Sequence, residues 1–96
     1  MGKIYKNQTA LRFVLNTKVD LTGALELKIY YKKPRDNIIG NWPGIFTSST
    51  KIYYDVENSS ILDVSGLWLL RSYVRFDHGE VFGNIVQIYI FEIWDV

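Results

Sequence analysis

Apolar and polar residues alternate with a period of two along most of this chain. From Ala24 to Lys33, Leu25, Leu27, Ile29 and Tyr31 share one face, and Glu26, Lys28, Tyr30 and Lys32 share the other. Such alternation predicts a strand with one buried side. Leu11, Phe13 and Leu15 alternate with Arg12, Val14 and Asn16, and Ile52, Tyr54 and Val56 alternate with Tyr53 and Asp55, which predicts strands over 11–16 and 51–56. The longest signal runs from Gly66 to Ile93, where two β-rich runs are joined by Asp77-His78-Gly79-Glu80. A short Gly-bearing turn between alternating runs predicts a hairpin. In its first arm Trp68, Leu70, Val74 and Phe76 face one way and Arg71, Tyr73 and Arg75 the other. After Gly83 apolar residues fall on odd and even positions alike, which implies a strand buried on both faces or a bulge that swaps the faces.

Chain breakers lie between these runs. Asp20-Leu21-Thr22-Gly23 is a turn, because Asp bonds nearby amides and Gly accepts positive φ. Pro34 has no N–H to give to a ladder and ends the third run, with Arg35-Asp36-Asn37 completing a polar turn. Pro43-Gly44 interrupts Ile38 to Phe46 just after Trp42, predicting a bent or edge strand. Thr47-Ser48-Ser49 reads as a turn, and Asn58 to Ser65 as a loop with one short turn of helix. Residues 1–7 form an arm or edge strand. No segment keeps an i, i+3, i+4 pattern for three turns. One all-β domain over 1–96 is therefore expected: an antiparallel immunoglobulin-like β-sandwich of about seven strands, with a small OB or SH3-like barrel as the alternative.

Composition narrows the function. A hydrophobic fraction of 48% with 16% aromatics can offset ordering entropy, so the chain folds. A formal net charge of +1 supplies no broad field for nucleic acid or an anionic membrane. The absence of cysteine excludes disulfides, thiolate zinc sites and a Cys nucleophile. The apolar stretches are too short and too interrupted by charge to span a bilayer, and the N-terminus shows no secretory signal pattern.

Catalytic chemistry finds little support. His78 is the only histidine, and with Asp77 and Glu80 beside it in one turn it reads as solvated rather than as a metal or acid–base site. No G-x-S-x-G elbow and no phosphate-binding glycine loop occurs. The pairs Asp55 with Glu57 and Glu80 with Glu92 lack room for a sugar cleft in so small a domain. No enzyme activity and no cofactor is expected. Aromatics interleaved with cations are the stronger signal. Tyr30, Tyr53, Tyr73 and Tyr89 accompany Lys28, Lys32, Arg71 and Arg75, a mixture that suits a protein–protein interface better than base stacking. The candidate interface is Tyr30, Lys32, Trp42, Tyr53, Arg71, Tyr73, Arg75 and Trp94. Trp42 and Trp94 are candidate exposed anchors, while Trp68 is expected in the core. A carbohydrate-binding platform of Trp42 and Tyr53 is the other class considered.

Read in order, Asp20-Leu21-Thr22-Gly23-Ala24, Ile29-Tyr30-Tyr31-Lys32-Lys33-Pro34, Trp42, Ile52-Tyr53-Tyr54, Ser65-Gly66-Leu67-Trp68, Tyr73-Val74-Arg75-Phe76 and Gly79-Glu80 resemble small immunoglobulin-like structural proteins of tailed-phage virions. These include domains similar to the amino-terminal part of the phage baseplate upper protein. The resemblance spans nearly the whole chain. It departs where the family's Pro-Asp-Gly turn is Pro34-Arg35-Asp36, and where Asp-Gly is His78-Gly79. It implies a bacteriophage virion component, located in the virion and partnered by capsid or tail proteins and by copies of itself, with no nucleic acid and no membrane partner. A lone domain leans toward an auxiliary capsid or head-surface protein, with tail or baseplate as the alternative.

Overall fold

The structure, a computed structural model, describes residues 3–94 and is all-β. Nine strands follow in chain order: β1 (Ile4–Tyr5), β2 (Leu11–Asn16), β3 (Glu26–Lys32), β4 (Ile39–Pro43), β5 (Ile45–Ser48), β6 (Lys51–Val56), β7 (Gly66–Phe76), β8 (Gly79–Phe82) and β9 (Val86–Phe91). The larger sheet runs β1-β9-β7-β3-β4 with β8 also on β7, and the smaller runs β2-β6-β5. All pairings are antiparallel except β1 with β9. No helix of the described residues is long and apolar enough to cross a membrane.

Two breaks raise the strand count above the seven expected. At Pro43-Gly44 the chain changes sheets. Pro43 ends β4 on the outer edge of the large sheet, Gly44 N–H donates to the Leu27 carbonyl at 2.9 Å, and Ile45 begins β5 in the small sheet. The second break divides the return arm of the hairpin. Phe82 opposes Tyr73 and Val86 opposes Leu70, so four steps along the return strand match three along β7. One extra residue in this stretch is a β-bulge, and a shift of one residue exchanges the faces of all that follows. Val81 shares the inner face with Val74, whereas beyond the bulge Ile88 and Ile90 share it with Trp68 and Gly66. Gly83 sits at this crossing because a Cβ there would collide with Ser72 Oγ. The lost alternation after Gly83 is thus a face swap. Gln87 and Tyr89, on the outer face, are exposed, which overturns burial on both faces.

Loops deviate locally from the sequence expectation. Asp20 Oδ1 accepts from the Thr22 amide and hydroxyl at 2.9 and 2.7 Å, closing the expected turn and driving Leu21 inward. These bonds hold the Asp20 carboxyl below its ordinary pKa. The turn expected at Thr47-Ser48-Ser49 lies later: β5 continues through Ser48, and the Thr50 carbonyl accepts from both the amide and the hydroxyl of Thr17. Asn58 to Ser65 carries no helix. Asn58 Oδ1 instead accepts from the Ser60 amide and hydroxyl, making a turn that delivers Leu62 fully buried into the core.

The sheets face each other across one apolar layer. Ile29, Trp42, Trp68, Leu70, Val74 and Ile90 come from the large sheet, and Phe13, Leu15, Ile52 and Val56 from the small one. Trp42 lies at its centre, stacked on Tyr54 at 4.8 Å, Phe13 at 5.9 Å and Trp68 at 6.3 Å, with Tyr31 tilted against it at 4.8 Å. Each such pair adds roughly 0.5–1.5 kcal/mol beyond area burial. Trp68 Nε1–H donates to the Val64 carbonyl four residues upstream at 3.0 Å, which fixes the approach to β7.

Candidate protein–protein interface

Because β7 and β3 pair along seven residues, every outward side chain of one strand lies beside an outward side chain of the other. Tyr30 opposes Arg71, Lys28 opposes Tyr73, Glu26 opposes Arg75 and Lys32 opposes Leu69. The two-residue loop Asp77-His78 sets Gly79 against Phe76 and therefore Phe82 against Tyr73. Tyr30, Tyr73 and Phe82 then form an aromatic triangle on the outer face, with ring centres 5.4 Å apart for Tyr30–Tyr73, 5.2 Å for Tyr73–Phe82 and 5.9 Å for Tyr30–Phe82.

The Arg71 guanidinium lies 5.3 Å over the Phe82 ring, and its Nε and Nη2 donate to the Gly83 carbonyl at 3.1 and 2.9 Å. It clamps the bulge with two of its five N–H donors. Beside it Tyr30, Lys32, Ile39, Leu69 and Ile85 line a shallow pocket of about 210 Å³. Ile39 is 68% exposed and Phe82 52%, and Leu67, Ile85 and Tyr89 are also exposed. Charges gather toward the end of this face near the Asp77-His78 turn. Glu26 lies 3.6 Å from Arg75 Nε and 3.7 Å from Lys28 Nζ, and Tyr73 Oη–H donates to Glu80 Oε1 at 2.9 Å. Burial first, then the Glu80 carboxylate, raises the Tyr73 pKa above its ordinary value. An apolar centre bordered by self-compensated charges is the anatomy of a recognition surface.

The sequence-derived residues separate into four places. Tyr30, Lys32, Arg71, Tyr73 and Arg75 come together on this face, although Tyr73 is only 6% exposed because the Tyr30 and Phe82 rings and the Glu80 carboxylate pack around it. Tyr53 lies on the outer face of the small sheet. There Arg12 stacks 3.9 Å above its ring and pairs bidentately with Asp55 at 2.6 and 3.0 Å, which holds the Asp55 carboxyl below its usual range. Trp42, expected as an exposed anchor, is a core residue at 5% exposure; the Pro43-Gly44 break that suggested a surface position is the crossing between sheets, and the indole just before it turns inward onto Tyr54. That burial also removes the sugar platform of Trp42 with Tyr53. Trp94 stands apart, 88% exposed beyond the end of β9.

Phe82, Ile39 and Ile85 join the face unforeseen. The register of the two-residue loop could have shown Phe82, since pairing outward from Phe76 and Gly79 brings position 82 opposite the outward Tyr73. His78 stacks on Phe76 at 5.3 Å with Nδ1 3.0 Å from Asp77 Oδ1, in an exposed turn. Among the described residues no three His, Asp or Glu side chains gather as a metal-binding group. Comparison with protein families, with curated proteins and with solved structures finds no match to this chain.

Proposed function

We propose that this chain is a non-enzymatic structural subunit of a tailed-phage virion, built as an immunoglobulin-like sandwich and acting as an assembly or surface module. The strand order supports the sandwich reading. β2-β6-β5 takes the part of strands B, E and D, and β9-β7-β3-β4 that of G, F, C and C′ in the variable-type order. With β1 counted as an arm and the bulged β8–β9 as one strand, seven strands remain. The Trp68 indole bond to Val64 does the work of the tyrosine corner with a different ring.

The observation that carries the assembly reading is the outer face of the large sheet, where Tyr30, Phe82, Ile39, Leu67 and Ile85 form an apolar surface bordered by paired charges. Tyr and Arg concentrated at such a face supply contact area with polar anchoring. Its partners are other virion proteins and further copies of this chain, with an auxiliary capsid or head-surface position first and a tail or baseplate position as the alternative. Imaging purified virions that carry a labelled copy tests this directly. Label on the head is the expected result, label on the tail moves the subunit to the alternative position, and absence from the particle overturns the virion assignment.

A further inference from the structure

The strand β1 is held in place almost entirely by one neighbour. Ile4 and Tyr5 pair in parallel with Ile90 and Phe91, Lys6 N–H donates to the Phe91 carbonyl at 2.8 Å, and the Tyr5 ring rests 6.3 Å from the Phe91 ring. The strand pairing this arm makes is therefore offered by β9 of any copy. Between β1 and β2 the chain reverses through 7–10, and two residues there have left-handed backbones, Asn7 at φ 64° and Ala10 at φ 57°. Asn tolerates this region through its side chain. Ala10 has no such compensation, so an L-residue is held where Cβ crowds its own carbonyl.

The arm also leaves the seam beside it open. A cavity of about 390 Å³ lined by Ile4, Leu11, Phe13, Leu15, Val86 and Ile88 separates β2 from β9, and Val86–Tyr89 has no second strand beside it among the described residues. An arm that covers two residues of a longer free edge is weakly committed to its own domain.

We propose that β1 is an exchangeable strand, so that in a dimer of this chain Ile4–Tyr5 of each copy pairs with β9 of the other. The exchange reproduces every β1–β9 contact in trans, which is why swapping an identical element is a low-cost route to dimers. Straightening 7–10 relieves the left-handed backbone at Ala10, and a short hinge under strain favours such exchange. Opening the loop gives up the Tyr5 amide bond to Gln8 Oε1, the Gln8 amide bond to the Tyr5 carbonyl, and the bonds of the Asn7 amide and side-chain amide to the Leu62 and Ser59 carbonyls. The strain at Ala10 offsets part of that loss, and protein concentration sets the ratio of the two forms. Extended, the four hinge residues reach roughly 14 Å, enough to carry the arm out of its own domain. The proposal goes beyond assembly through the outer sheet face and does not use that face.

A disulfide trap tests it. The chain contains no native cysteine, and Ile4 and Ile90 are Cα partners, so the double variant Ile4→Cys with Ile90→Cys forms a crosslink within one chain or between two according to where β1 sits. After refolding at high protein concentration and oxidation, a covalent dimer on a non-reducing gel is expected. An intramolecular crosslink alone at every concentration overturns the proposal. Adding Phe82→Arg separates this from face-to-face association: the covalent dimer is expected to persist unchanged, because strand exchange does not use the outer face, and its loss overturns the exchange as proposed. Two hinge variants provide a second measurement with the core untouched. Ala10→Pro cannot adopt positive φ and shifts sedimentation toward the dimer, whereas Ala10→Gly shifts it at least several-fold toward the monomer; no change in either overturns the proposal.

Discussion

Two aromatic clusters built from the same residue types occupy opposite faces of the large sheet, and their contrast shows how one alternating pattern supplies both stability and recognition. The inner cluster lies between the two sheets: Trp42, Phe13 and Trp68 are buried there, with Tyr31 and Tyr54 packed half-buried against them. The outer cluster, Tyr30, Tyr73 and Phe82, has ring distances just as short but one side open to water. Contact geometry alone does not distinguish them. Enclosure does, and its energetic consequence is that removing an inner ring leaves a cavity while removing an outer one leaves solvent.

The sharpest way to break the contrast is therefore Trp42→Ala. It should destabilise the fold by about 3–5 kcal/mol, read from urea unfolding, because it deletes the shared partner of four other rings. Gly40→Ala probes the same cluster from the backbone. A Cβ at Gly40 would collide with the Tyr31 phenol ring, which is wedged against Trp42 and Trp68, so about 1–3 kcal/mol of stability should be lost in the same assay. Phe82→Ala, on the open cluster, should cost about 1 kcal/mol or less in unfolding while weakening association through the outer face at least tenfold in sedimentation. A large loss of stability there would show that Phe82 belongs to the core.

Two titrations extend the comparison with smaller effects. Tyr73 has a raised pKa because its phenolate would be buried beside Glu80. The neutral form is favoured by folding, so this contribution is intact below pH 10 and lost as pH rises beyond it; Tyr73→Phe should flatten that alkaline loss in pH-dependent unfolding. On the outer face of the small sheet, Asp55 has a lowered pKa from its bonds to Arg12. Its contribution is present above the ordinary carboxylate pKa of 3.8 and fades as pH falls below it, so Asp55→Asn should remove a shallow acid-side slope and little else.

Much of the fold was legible because most strands have one dry and one wet side. Leu11, Phe13 and Leu15, and Ile52, Tyr54 and Val56, announce their inner faces by alternation, and the strands observed match those runs residue for residue. Trp42 was misread because alternation is a local signal and sheet crossing is not: Pro43-Gly44 marks a break without saying that two sheets meet there. The candidate site was half legible. Tyr30, Arg71 and Arg75 follow from parity within β3 and β7, but Ile39 and Ile85 join them only through strand neighbours and a bulge, which are long-range facts. Tyr53 belonged to the same composition signal and lies on the other side of the molecule, since composition carries no address.

The single extra residue opposite Arg71 and Ser72 has a consequence for how this domain can change over generations. Within the paired strands elsewhere in the hairpin, gaining or losing one residue would invert the faces of the remaining strand, turning Ile88 and Ile90 to water. Between Gly83 and Ile85 that inversion is already part of the design. The hairpin's paired strands can change length freely only in twos, and the odd step is confined to one place, fastened by the Arg71 guanidinium to the Gly83 carbonyl.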